Sequence, residues 1–207
     1  MHNSALRGAH RSSMPDRLRP ALPSPAERPP EGDRWLHEIK LDGYRMLCRL
    51  DRGRVRFTSR HGLDWTDRLG PIREAVLQVP ARQIILDGEI VVHAADGTTS
   101  LRGLQSALGR GREAAIVYYV FDPLYLDGYD LTRVALGGRK TLLASLVDPA
   151  ETTARLRFSQ PITGNGPAVF RQACRLGLEG IVSKGRDSQY PCGRCRSWLK
   201  VKCPRPS

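Results

Sequence analysis

Residues 34–60 read "RWLHEIKLDGYRMLCRLDRGRVRFTSR", and their pattern decides which fold follows. "RWLHEIK" and "YRMLCRL" read as short strands. "DRGR" is a turn that feeds "VRFTSR", so this stretch predicts a hairpin. Lys40 ends the first strand, and Asp42-Gly43 is turn chemistry that leaves its amine at an edge open to a substrate. Taken alone, Lys-x-Asp-Gly is also how a surface lysine before a tight turn looks.

The rest of the chain extends the same theme. "PIREAVLQV" predicts a short helix begun by Pro71, and "QIILDGEIVV" a strand with a turn-like Asp87-Gly88 inside it. "LRGLQSALG" reads as a helix stopping at Gly109, "AAIVYYVFDPLYL" as a long buried strand and "GRKTLLASLV" as a helix. "LRFSQPI" is a strand, "PAVFRQACRLG" an amphipathic helix ended by Gly177, and "GIVSK" and "WLKVK" are the last strands. Hairpins with helices between them predict an α+β domain of mainly antiparallel sheets over residues 34–203. Residues 1–33 hold six of the fifteen prolines and predict an extended, partly disordered arm, one able to strap across that domain. Residues 204–207 read as a tail.

Composition narrows the partners. The 207 residues carry 33 basic and 21 acidic side chains, a formal charge of +12. That excess favours a polyanion, because neutralised phosphates release counterions. Only Lys40, Lys140, Lys184, Lys200 and Lys202 are lysine; every other cation is arginine. Lysines kept in so arginine-rich a chain are candidates for work a guanidinium cannot do, above all nucleophilic attack. Five cysteines without a secretory signal argue against a disulfide framework, and no apolar run reaches membrane-span length. The acid-free first residues read as a disordered leader, and a cytoplasmic enzyme with no membrane partner is expected. Cys192 and Cys195 have CxxC spacing, but no second pair or nearby histidine makes them a zinc site. Cys48 and Cys174 lie on apolar faces and predict core positions; His37 and His61 predict structural or solvent roles.

Several segments add chemistry to Lys40. "LDGEIV" supplies Glu89, "TSRHG" Arg60, "YVFDPLYLDG" Phe121, "EGIVSK" Glu179 and Lys184, and "WLKVK" Lys200 and Lys202, which share one strand face. Glu89 and Glu179 stand inside apolar strands, where an unpaired charge is costly. Phe121 and Val182 by themselves are what core packing looks like. As an ordered set these segments resemble the nucleotidyltransferase motifs of the ATP-dependent polynucleotide ligases. "PPEGDRWLHEIKLDGYR", "SRHGLDWT" and "SWLKVKC" are most similar to the ligase domain of bacterial end-joining DNA ligases, from about Arg17 to Cys203. Four of the five lysines fall in these motifs, leaving Lys140 outside.

The resemblance implies a nucleotidyltransferase, ATP-grasp-like fold in which nucleotide binds between the sheets. It implies Lys40 as the nucleophile that takes AMP from ATP, with Lys200, Lys202, Lys184 and a bound Mg²⁺ or Mn²⁺ disfavouring its ammonium form. Glu38 and the backbone at Ile39 would read the adenine edge, Arg45 and Glu89 would contact ribose, and Arg60 would approach phosphate. Phe121 and Val182 would cover the two faces of adenine, and Glu179, with Glu89, would organise the metal. The implied DNA partner is a nick or a break, with end-joining proteins or a separate barrel-containing chain as further partners. "KVKC" is followed by only four residues, so no oligonucleotide-binding (OB) barrel is expected, and joining is expected to be weak or partner-dependent. An RNA ligase or GTP-using capping enzyme shares the Lys-x-Asp-Gly logic, and a non-catalytic nucleic-acid-binding remnant shares the charge.

Overall fold

The computed structural model describes residues 6–111, 115–147 and 155–204. Eleven strands, four α-helices and one 3-10 turn (Thr66–Arg68) are seen among them: β1 (His10–Arg11), β2 (Ala21–Pro25), β3 (Trp35–Ile39), β4 (Tyr44–Asp51), β5 (Arg54–Ser59), α1 (Gly70–Val76), β6 (Gln83–Val91), α2 (Leu101–Gly109), β7 (Val117–Leu126), β8 (Tyr129–Asp130), α3 (Leu136–Leu146), β9 (Leu156–Phe158), α4 (Gly166–Arg175), β10 (Gly180–Gly185) and β11 (Gly193–Lys202). No described helix is long and apolar enough to cross a membrane.

Seven strands form one sheet in the order β1-β8-β7-β6-β4-β5, with β9 parallel to β7. β4 and β5 make the expected hairpin: Asp51 pairs Arg54 across Arg52-Gly53, both at positive φ, the turn whose twist suits two antiparallel strands. Alternation divides β4 and β6 between two faces. Met46, Cys48, Leu50, Ile84, Leu86 and Ile90 pack with Ile72, Val76, Leu104 and Leu143 into the larger core under the helices. Arg45, Asp87 and Glu89 fall on the opposite face.

The second sheet runs β2-β11-β10-β3, antiparallel except for β2, which lies parallel to β11. Residues 21–25, inside the expected arm, are therefore a sheet strand: Ala21 is fully buried and takes a hydrogen bond's worth of order from Tyr190, whose hydroxyl accepts from its N–H. α4 packs over β10 and β3 from outside. A smaller core of Ala21, Leu36, Ile85, Leu124, Tyr125, Leu136, Tyr190 and Trp198 holds the two sheets together.

Two turn readings give way. Asp42-Gly43 does not fold β4 back beside β3; residues 40–43 cross from the second sheet to the first. Gly43 is needed because a Cβ there would run into the Ile90 carbonyl oxygen, while Asp42 accepts from Leu101 N–H at the start of α2. Asp87-Gly88 is not a turn either, since β6 runs straight through it. A Cβ on Gly88 would strike the Tyr118 ring and the Tyr119 carbonyl, so this glycine answers to a neighbour and not to a turn.

The cysteine expectation is corrected as well. Cys174 and Cys203 form a disulfide, with Cα atoms 5.3 Å apart, joining the end of α4 to the residue after β11. Cys174 is thus half-buried and bonded instead of core. The odd count concealed one pair because three cysteines stay free. Cys48 is fully buried, and burial pushes its thiol well up. Cys192 is exposed and Cys195 packs beside the smaller core.

Candidate active site

Between the sheets opens a cavity of about 560 Å³. Register explains which side chains reach it. Glu38 pairs Val182, and Val182 pairs Lys200, so these three stand in a row across β3, β10 and β11. One step along, Lys184 pairs Trp198 and repeats the same face. From the first sheet come Arg45, Glu89 and Phe121, from the end of β3 Ile39, and from the crossover Lys40 and Leu41. Phe121 is the extra residue of a bulge in β7, where pairing slips between Asp87↔Asp122 and Gly88↔Val120. Leu22 and Pro23 of β2, with Tyr44, Leu63, Trp65 and Arg194, complete the wall.

Ten of the twelve expected site residues line this cavity, namely Glu38, Ile39, Lys40, Arg45, Arg60, Glu89, Phe121, Val182, Lys184 and Lys200, and His61 lines it as well. Glu179 and Lys202 stand at its rim. The Lys40 ammonium donates to Glu179 Oε2, and Lys202 Nζ lies 3.0 Å from Glu179 Oε1. Lys40 and Glu179 are each about a fifth exposed, so the pair is open to exchange with solvent and ligand. Burial pushes the Lys200 amine down, and Lys40, Lys202, Arg60 and Arg194 push it further. Crowded cations of this kind call for an anion.

The carboxylates divide by setting. Glu89 accepts from Gly43 N–H at 3.2 Å, yet burial raises its pKa to about 7, Arg45 and Lys40 offsetting only part and Glu179 adding to the rise. Glu38 is 2% exposed; burial opposes its charge, but Lys140 and Lys184 outweigh burial and hold it below the ordinary range. Arg45 grips the fully buried Asp87 through two 2.6 Å hydrogen bonds and lies 4.4 Å over the Phe121 ring. Tyr190 donates its hydroxyl to the same Asp87. Much of Arg45 is therefore committed to holding the floor beneath Phe121.

Asp87, Tyr190, Arg194, Trp198 and the β2 residues escaped the sequence reading. Arg194 had a signal, standing on the same alternating face as Trp198 and Lys200. Leu22 and Pro23 had none, because a proline-rich stretch does not announce which strand it will join. His37 is fully buried on the outer face, where Nδ1 meets Ser183 Oγ at 2.8 Å, a structural role; burial holds its pKa down. Among the described residues no three His, Cys, Asp or Glu side chains converge as a metal site.

Two largely antiparallel sheets that clasp a cavity, with a lysine on the crossover between them, form the nucleotidyltransferase fold. More narrowly, the chain belongs to the ATP-dependent DNA ligase domain family, which residues 25–202 match. It is 38% identical over 193 residues to the multifunctional non-homologous end joining protein LigD of Pseudomonas aeruginosa, covering 93% of this chain and 23% of that protein. Identity to the multifunctional non-homologous end joining DNA repair protein LigD of Mycobacterium tuberculosis is 35% over 173 residues, covering 83% and 22%. The crystallised ligase domain of M. tuberculosis LigD superposes with a TM-score of 0.78 at 36% identity, over 89% of this chain and 59% of that one. A mycobacterial DNA ligase D complexed with ATP and MES gives 0.78 at 34%, over 89% and 60%. The chain spans less than a quarter of the length of these curated relatives.

Proposed function

We propose that this chain takes AMP from ATP onto Lys40 and delivers it to the 5′-phosphate at a nick or break in duplex DNA. The observation that carries the reading is the Lys40 amine at the mouth of the cavity, with Glu179 on it and the cations Arg60, Lys200 and Lys202 beside it. Lys40 Nζ, its proton passed to Glu179, attacks the α-phosphorus. An N–P bond forms, the bond to the β-phosphate oxygen breaks, and pyrophosphate leaves. A 5′-phosphate oxygen of DNA then displaces Lys40 from that phosphorus. Attack by the neighbouring 3′-hydroxyl finally releases AMP and closes the strand.

The remaining side chains take roles from where they stand. Phe121 from one sheet and Val182 from the other line the cavity and would sandwich the purine, while Glu38 and the Ile39 backbone would meet its edge. Arg45 and Glu89 border the ribose; Arg60, Lys200 and Lys202 bind phosphates, where charge develops during attack. Lys184, 4.5 Å from the Phe121 ring and 4.4 Å from that of Trp198, secures the floor. Glu89 and Glu179 fit a hard cation, Mg²⁺ or Mn²⁺: both offer oxygen, and the Glu179 carboxylate already opposes ionisation of Glu89. Phosphate oxygens and water would supply the other ligands, and the ion would neutralise charge on the triphosphate. We assign the chain to the cytoplasm, and end-joining proteins or a barrel-containing chain remain the proposed partners in joining.

Intact mass after incubation with ATP and Mg²⁺ tests this directly. The wild type gains one AMP, and Lys40→Ala gains none. No gain with any divalent metal would instead favour a purely nucleic-acid-binding role. Labelling by GTP but not ATP would move the chain to the capping enzymes.

A further inference from the structure

Lys140 is the one lysine outside the ligase-like motifs, and it lines none of the cavity. It is nevertheless 4% exposed, carried on α3 behind the cavity wall. Its Nζ lies 2.8 Å from Glu38 Oε1 and donates to the Ser159 carbonyl at 3.0 Å. Lys184 Nζ lies 2.8 Å from the same Glu38 oxygen. Two cations thus converge on Oε1, whereas Oε2 has only a long 3.4 Å approach from Ser159 Oγ. Lys140 thus holds the carboxylate from behind the wall, while Lys184, itself part of the cavity lining, holds it from the front.

An ionised carboxylate can only accept hydrogen bonds. Buried and fixed, it matches a base edge that carries an amino group and opposes one that carries a carbonyl, since two acceptors would then face each other without solvent. Held by Lys184 alone, Glu38 would be free to follow that side chain or to take a proton and become a donor. A carboxyl that donates accepts the carbonyl base as well.

We propose that Lys140 is a positioning residue for base choice: it fixes Glu38 as an oriented acceptor, so that the cavity takes a 6-aminopurine nucleotide and refuses a 6-oxopurine one. The inference rests on the nucleotide-binding reading of the cavity. Lys140 touches no part of the nucleotide itself.

The test compares three triphosphates: ATP, GTP, and purine riboside triphosphate, which lacks any group at the six position. Binding by calorimetry and AMP transfer by intact mass are measured for the wild type and Lys140→Met. The variant should bind ATP roughly 10- to 100-fold more weakly, with KM for transfer rising and kcat nearly unchanged. Its affinity for purine riboside triphosphate should stay within about threefold, and its preference for ATP over GTP should narrow at least tenfold. Lys140→Arg, which keeps a cation, should restore much of the preference. If Lys140→Met does not fold, Lys140→Gln is read by the same ratios. Equal weakening toward ATP and purine riboside triphosphate would mean a merely structural lysine and overturn the inference alone. Wild-type protein that binds none of the three would overturn the nucleotide reading and this inference with it.

Discussion

Glu89 shows how one carboxyl can answer to two demands. It borders the cavity beside Lys40, yet burial and Glu179 hold its pKa near 7. Because the folded value lies above the unfolded 4.5, folding favours the protonated form. Its contribution to stability is therefore complete below about pH 4.5 and is lost as pH rises through 7. Glu89→Gln should gain stability relative to the wild type between pH 5 and 8, by on the order of 1 kcal/mol for a group that keeps some solvent. Urea melts at the two pH values check this, and a difference that does not change with pH would refute it. The same substitution removes the oxygen that a divalent cation would use. A variant that is steadier at pH 8 but slower to take AMP is the expected signature of a site that trades stability for charge.

At the scale of elements, the strands that carry the site were legible as short apolar runs bounded by turn residues, a local pattern that needs no tertiary knowledge. Val182 and Lys184 share a face by period two, and β-pairing sets Glu38 and Lys200 beside Val182 on that face. The helices α2 and α4 were legible through their glycine stops. β6 was misread at Asp87-Gly88, since local turn chemistry and a close tertiary approach both select glycine. The distinction is testable. Gly88→Ala should cost several kcal/mol, about the range of an overpacked core or more, because the obstacle includes the Tyr119 backbone as well as a ring. A loss under about 0.5 kcal/mol in denaturant melts would mean that β6 can shift aside. α3 was legible as a helix but not as a brace. Its consecutive Arg139 and Lys140 reach Asp122 and Glu38, ion pairs formed between different layers that no local pattern announces.

Across the whole molecule, two sheets meet along one core and part at the cavity. β11 belongs to both stories, since it carries Trp198 in the core and Lys200 at the site. Its far end is fastened twice: Cys203 N–H donates to the Glu179 carbonyl at 3.0 Å, and Cys203 Sγ is bonded to Cys174, 29 residues away in sequence. Closing a loop of that length restricts the unfolded chain by roughly 3–4 kcal/mol. Reduction, or Cys174→Ser, should lower the unfolding free energy by up to that amount while leaving ATP binding near its wild-type affinity. Equal denaturation midpoints with and without reductant would show that the bond contributes nothing. The crowding of Lys40, Lys200, Lys202, Arg60 and Arg194 has a different consequence. In the proposed reaction, taking AMP onto Lys40 would exchange an ammonium for a phosphoramidate, so the mouth would lose one positive charge and acquire a negative one. The enzyme without AMP would then be the electrostatically uncomfortable partner of the pair, its cations crowded together. Repulsion built up as the chain folds would be discharged when the nucleotide is attached, so on the proposed function folding itself would help to load the lysine.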